Sequence, residues 1–126
     1  MKVGRWLVLL GSVLLMATAV VHTLVYNGVS EAVGRSGLNP MYSAAFRGFF
    51  LLFGLQLALL AVLFVVMAWM HGGQRFMPLA ALIPLTETIL LVHFVGWFAG
   101  TEMLASGTAC VVAGAAVLWN RKAGRD

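Results

Sequence analysis

The stretch GFFLLFGLQLALLAVLFVVM, residues 48–67, contains one polar side chain, Gln56, in twenty positions. A transmembrane helix needs about 20 apolar residues, because it rises about 1.5 Å per residue across about 30 Å of hydrocarbon. A soluble domain would have to bury such a helix on every side, whereas a bilayer solvates its apolar surface. This stretch therefore predicts an integral membrane protein.

Three more segments have the length and composition of a membrane span. The chain is 62% hydrophobic and 10% charged, whereas soluble domains are about 25% charged. We predict an all-α, four-helix up-down bundle that forms one domain, residues 1–126. Its helices are expected at about 6–26, 40–70, 77–98 and 102–119, with an outer loop at 27–39 that has room for one short interfacial helical turn.

The N-terminal residues have the basic, apolar and small-residue regions of a secretory signal peptide. The apolar run continues past Ala19 to about Tyr26, which favours a retained first span. Asn39 and Pro40 predict an N-cap and first-turn pair for the second helix. Residues 71–76, HGGQRF, predict a tight connection in which His71 is a cytoplasmic loop residue. Gly100 and Thr101 predict the last connection, with Thr101 as an N-cap.

The basic residues predict the orientation. One side carries Lys2, Arg5, Arg75, Arg121, Lys122 and Arg125, and the opposite side carries only Arg35 and Arg47. Under the positive-inside rule both termini are cytoplasmic, in a bacterial-type inner membrane. Aromatic residues agree, since Trp6, Trp69 and Trp119 fall at the inner boundary and Tyr26, Tyr42 and Trp97 at the outer one.

Two histidines are predicted to lie at one depth. His22 is 16 residues beyond Trp6 and His93 is 17 beyond Phe76, or about 24 Å and 25 Å. In an up-down bundle the first and third helices face each other diagonally, so both imidazoles could enter one cavity. Alternatively, each hydrogen-bonds a hydroxyl or carbonyl group between helices and only holds the bundle together. Paired ligation of a haem is a further alternative.

Glu87 is the strongest single signal. It lies near the predicted bilayer midplane, three residues after Pro84, whose missing N–H frees a backbone acceptor. An ionisable group in hydrocarbon is costly and marks a functional site by default. The alternative is a structural hydrogen bond to Gln56, at similar depth on the second helix. We expect Glu87, His93 and His22 to be catalytic groups.

Five polar or aromatic residues are predicted to contact the ligand, because they share a depth or a helix face with the catalytic groups. These ligand-binding candidates are Arg47, Gln56, Thr86, Tyr26 and Trp97. Arg47 could instead extend to lipid headgroups at the outer boundary. No metal-ligand spacing accompanies the histidines, so no metal site is predicted.

The fourth predicted helix carries small residues at spacing four. Ala105, Ala109 and Ala113 form one ladder, and Ser106, Cys110 and Gly114 form another. Small residues let backbones approach closely, so this helix should pack within the bundle or between copies of the chain. Cys110 is the only cysteine, so no internal disulfide can form. The basic residues lie beside apolar runs, which favours lipid headgroups over nucleic acid.

The segment FRGFFLLFGLQLALLAVL, residues 46–63, follows a membrane histidine and opens with Arg47 and Gly48. It resembles the second helix of DoxX-like small membrane proteins. That resemblance implies a four-helix bundle and an association with membrane redox and quinone chemistry. Only Arg47 is carried over as a site residue by this resemblance.

The sequence thus predicts a bundle that binds a lipophilic small molecule, of quinone or isoprenoid type, with acid-base or redox chemistry of an oxidoreductase or isomerase. The cofactor is left open between haem and quinone. The alternatives are a bis-histidine haem protein that transfers electrons, a proton-coupled small exporter, and an accessory subunit of a larger membrane complex. The expected partners are the lipid bilayer, the lipophilic molecule and a second copy of the chain through the fourth helix.

Overall fold

The computed structural model describes residues 2–70 and 72–123, with side chains through residue 120. His71 and its predicted loop position lie outside the described residues. The described chain is helical and contains no strand. Its elements are α1 (Lys2–Leu24), α2 (Tyr26–Arg35), α3 (Pro40–Trp69), a short 3-10 turn (Gly73–Arg75), α4 (Met77–Val95) and α5 (Ala99–Ala123).

Four of these helices, α1, α3, α4 and α5, are long and apolar enough to cross a membrane. The predicted all-helical architecture with four such segments is therefore confirmed. In the described residues α1 packs extensively on both α5 and α3, and α4 packs on α5. Contact between α3 and α4 is slight although they are consecutive. Helix α1 is thus packed closely between α3 and α5, and α4 is held mainly by α5.

Glycines bring α1 and α5 into backbone contact. A Cβ placed on Gly11 would lie 2.7 Å from the Gly107 carbonyl oxygen, and one on Gly114 would lie 2.8 Å from the Gly4 carbonyl oxygen. Both helices space these glycines seven residues apart, which keeps them on one face. Among the small residues predicted to pack on this helix, Gly114 lies against α1, whereas Ser106, Ala109 and Ala113 are exposed.

The segment between the first two spans is more ordered than the predicted loop 27–39. Helical hydrogen bonds continue across the junction, with the Val25 N–H donating to the Val21 carbonyl and the Val29 N–H to the Val25 carbonyl. The ten-residue helix α2 results, and it packs on α3 with Val33 buried. This largely polar segment forms a helix because α3 covers the face that carries Val33.

Helix ends follow the prediction at α3 and depart from it at α5. The Asn39 side chain accepts from the Met41 N–H at 2.9 Å, and Pro40 occupies the first turn, as predicted. Thr101 is not an N-cap, because α5 begins at Ala99. Its hydroxyl instead accepts from the Phe98 N–H and donates to the Phe98 carbonyl, both at 2.8 Å. Helix α4 instead ends at Gly96, whose positive φ of 91° begins the connection to α5.

The end of the bundle that holds Lys2, Arg75 and Asn120 is called the Arg75 end, and the opposite end, which holds α2, is called the α2 end. At the Arg75 end the Ala68 carbonyl accepts hydrogen bonds from Arg5 Nε and Gln74 Nε2, both at 3.1 Å. This satisfies an acceptor that the last turn of α3 leaves without a helical partner. The core between the two ends is largely apolar, with Leu15, Leu57, Phe64 and Leu104 fully buried.

Candidate functional site

Glu87 presents an unpaired polar atom in the middle of an apolar helix. It lies ten residues beyond Met77, or about 15 Å along α4. The side chain is half-buried, and Oε2 is buried without a hydrogen-bond partner among the described residues. Native structures pair nearly all buried polar groups, so an unpaired one calls for an explanation. A structural role would require a hydrogen-bond partner on a neighbouring helix, whereas a catalytic or ligand-binding role would leave Oε2 available to a ligand.

The position of Glu87 on α4 is set by helical spacing. Glu87 shares a stripe with Ala80, Pro84 and Leu91. Pro84 is buried, and Ala80 and Leu91 pack against the apolar core. Glu87 therefore lies on the side of α4 that faces the bundle, on the helix that contacts α3 only slightly.

A threonine pair fixes the same part of α4 to α5. Thr88 Oγ1 donates to the Pro84 carbonyl at 2.7 Å and lies 3.2 Å from Thr108 Oγ1, and Thr108 Oγ1 is also 3.4 Å from that carbonyl. Sequence reasoning missed Thr108. Its signal was available, since a hydroxyl residue within a membrane span commonly hydrogen-bonds a neighbouring helix.

The predicted partner of Glu87 does not form the predicted clamp through Oε2. Gln56 on α3 is half-buried and lies eleven residues before Met67, so its depth is close to that of Glu87. Oε2 nonetheless has no hydrogen-bond partner. The physical reason is the slight contact between α3 and α4. By residue count, Glu87 and Gln56 thus lie at a similar depth on α4 and α3.

His22 fits the structural alternative. Its Nε2 donates to the Phe50 carbonyl of α3 at 2.8 Å, and its ring stacks on the Phe50 ring at 3.6 Å. The ring also fills space left by Gly54, because a Cβ there would lie 3.2 Å from the imidazole. His22 thus joins α1 to α3 through a hydrogen bond of the kind expected between membrane helices.

The structure does not bring His93 to His22, and it corrects the expectation of a shared cavity. His93 is exposed on α4, where its ring meets the edge of Phe94 at 4.8 Å. His22 is held against α3, and α1 makes no extensive contact with α4 in the described chain. Residue counting puts them at a similar depth, but His22 contacts α3 whereas His93 is exposed on α4.

The five ligand-binding candidates also separate. Thr86 and Trp97 are exposed, and on α4 Thr86 lies about 100° from Glu87. Tyr26 is half-buried, with its ring 6.3 Å from that of Phe50. Arg47 is half-buried beneath α2, where a Cβ on Gly34 would lie 3.3 Å from its Nη2, and its Nε is buried without a described partner. Tyr26 thus lies beside Phe50, as His22 does, and among the candidates on the other helices only Gln56 lies near the level of Glu87.

No group of three or more histidine, cysteine or acidic side chains in the described part of the chain could hold a metal ion. Neither histidine is arranged with the other as a pair in the described residues, since His22 is hydrogen-bonded to α3 and His93 is exposed on α4. A quinone-like or isoprenoid group remains chemically compatible with Glu87, since a carboxyl group can donate to, or accept from, a carbonyl or hydroxyl oxygen.

The structure also contains a cavity that the sequence did not predict. It is an open groove of about 630 Å³ between α4 and α5 at the Arg75 end. Leu82, Leu85 and Ala116 are among its apolar walls, and Arg75 and Asn120 are its polar lining residues. It lies on the side of α4 away from Glu87.

Comparison with known proteins adds no assignment. No family model, no curated protein and no solved structure matches this chain. The resemblance of residues 46–63 to DoxX-like proteins therefore stays a prediction.

Proposed function

We propose that the chain is a multi-pass membrane protein that binds a lipophilic small molecule of quinone or isoprenoid type at Glu87. The four apolar helices support the membrane placement. The Lys and Arg distribution supports an orientation in which the Arg75 end and both termini are cytoplasmic. The bacterial-type inner membrane is part of this proposal.

The single observation that carries the ligand proposal is the buried, unpartnered Oε2 of Glu87. A carboxyl group without a partner costs stability in an apolar environment, and that cost is offset when a ligand supplies the missing hydrogen bond. Glu87 lies about 15 Å along its helix, at the level of the acyl chains rather than the headgroups. Its ligand must therefore be soluble in hydrocarbon and carry one polar group.

The route to the site supports the same class of ligand. Helix α4 contacts α3 only slightly, which leaves a loosely packed interface between them. A lipid-soluble molecule could enter it sideways from the bilayer without crossing the headgroup region. Gln56, at the same depth on α3, would supply a second hydrogen-bonding group. Glu87 would then give or take a proton at the bound oxygen, which is the acid-base chemistry we propose.

The alternatives have less in their favour. A bis-histidine haem would require His22 to leave its Phe50 carbonyl and α4 to rotate. No specific contact favours a proton-coupled exporter or an accessory subunit.

The experiment uses the full chain in nanodiscs, titrated with decylubiquinone and with farnesol while tryptophan fluorescence is followed. We expect saturable binding of at least one probe and a loss of about tenfold or more in affinity for Glu87→Leu, because a hydrogen bond to a carboxyl group is removed. Glu87→Gln keeps a hydrogen-bond donor and should retain part of the affinity.

Thr86→Leu is the matched control, since Thr86 is the adjacent residue but is exposed. It should bind the probe like the wild type. Equal affinity of Glu87→Leu and wild type for both probes would refute the site, and failure of both probes to bind the wild type would refute the ligand class.

A further inference from the structure

The groove between α4 and α5 combines an apolar interior with a basic entrance. Its floor includes Ala81 and Ala115, which are 4% and 2% exposed. These small side chains leave room between the two helices, and Leu82 and Leu85 form part of one wall. Arg75, which is exposed, lines the groove at the end where α4 begins. A molecule that fits this surface needs a long apolar part and a negatively charged head.

The acidic residues lie elsewhere in the chain. Glu31 and Glu102 are at the α2 end, Glu87 is in the middle of α4, and Asp126 lies outside the described residues. The salt bridge seen in the described chain joins Arg35 to Glu31. Arg75 is thus a cation at the groove entrance with no described carboxylate beside it. This charge complements a phosphate group.

The groove is short enough to lie within one half of a bilayer. Along α4 it extends from Pro78 to Leu85, and along α5 from Val112 to Asn120, or about 10 Å and 12 Å. Half of the hydrocarbon core is about 15 Å. A helix from a second copy of the chain would run the whole length of α5, whereas an acyl chain that enters from the Arg75 end would stop where this groove stops.

We propose that this groove binds an anionic phospholipid, with one acyl chain between α4 and α5 and the phosphate group against Arg75. Trp119, which is half exposed and lines the same end, lies where an indole ring meets the headgroup region. The bound lipid would cover apolar surface of α4 and α5 together and so hold α4 in place. The proposal is independent of the Glu87 ligand, because that carboxyl group lies on another side of α4.

The test uses Trp119 as a reporter. The chain has four tryptophans, and the variant Trp6→Phe, Trp69→Phe, Trp97→Phe retains Trp119 alone. It is reconstituted in vesicles with brominated phosphatidylglycerol or brominated phosphatidylcholine, and fluorescence quenching is measured. We expect about fivefold stronger binding of phosphatidylglycerol, since one basic residue near the surface contributes that much. Native mass spectrometry of the unsubstituted chain gives an independent count of retained lipids.

Two substitutions and two matched controls separate charge from shape. Arg75→Gln should remove the preference for phosphatidylglycerol, whereas Lys2→Gln, at the same end, should preserve it. Ala116→Phe fills the groove and should weaken quenching by both lipids, whereas Ala113→Phe, exposed on the same helix outside the groove, should not.

Three outcomes would overturn the proposal: equal quenching by the two lipids in the Trp119 variant, an unchanged preference in Arg75→Gln, or a dimer that Ala116→Phe dissociates while lipid retention stays constant. The last would identify a second copy of the chain as the occupant.

Discussion

Helix α5 packs on its two neighbours in contrasting ways. Against α1 it uses Gly107 and Gly114, whose absent side chains bring the two backbones into contact along the interface. Against α4 it uses the Thr88–Thr108 pair near Pro84. The first interface is continuous and apolar, whereas the second is fastened at one level and opens into a groove at the Arg75 end.

This contrast suggests a division of labour within the bundle. Close packing of glycines gives van der Waals contact that does not depend on a ligand, so the α1–α5 pair is a rigid support. By contrast, α4 buries little of its surface, carries the unpaired carboxyl group and borders the groove. Regions that bind ligands are generally drawn from the less stable part of a fold. The difference between the two interfaces can be tested by substitution.

The largest effect is expected for Gly11→Leu. A side chain there would meet the Gly107 carbonyl and the Val111 backbone at less than 3 Å, with no room to move. We expect the free energy of unfolding to fall by about 3 kcal/mol or more, measured by SDS titration of the protein in micelles. Gly48→Leu is the control, because a Cβ on that helical glycine meets nothing within 4 Å. Similar losses in both variants would contradict the rigid-support model.

A moderate effect of opposite sign is expected for Glu87→Leu. Removing a buried oxygen without a partner should raise the free energy of unfolding by about 2 kcal/mol in the absence of ligand. Thr86→Leu, which alters an exposed neighbour, should change it little. If Glu87→Leu destabilised the protein in the same SDS titration, the carboxyl group would be a structural clamp, as the alternative sequence interpretation held.

The smallest effect is expected for His22→Phe. This change retains an aromatic ring beside Phe50 but removes the 2.8 Å hydrogen bond to its carbonyl oxygen. Hydrogen bonds between membrane helices contribute about 0.6 kcal/mol on average, so the unfolding midpoint should shift slightly downward. His93→Phe should leave it unchanged, since His93 is exposed. A larger loss for His93→Phe would argue that His93 is covered by another helix or by a second copy of the chain.

The sequence by itself determined how many long helices form and where each begins and ends within a few residues. Apolar length and composition suffice for this, because they depend on consecutive residues and need no knowledge of neighbours. The Asn39–Pro40 start of α3 is of the same local kind. The segment 27–39 was less predictable, since its helix depends on the cover that α3 provides.

Only the tertiary structure decided which polar residues meet. Depth can be counted along a chain, and the count puts Gln56 and Glu87 at a similar level. The direction of a side chain depends on how each helix is rotated and on which helices touch. Neither can be predicted from the sequence of one helix alone. For this reason His22 faces Phe50, His93 faces outward, and the groove beside Arg75 emerges only when α4 and α5 are packed together.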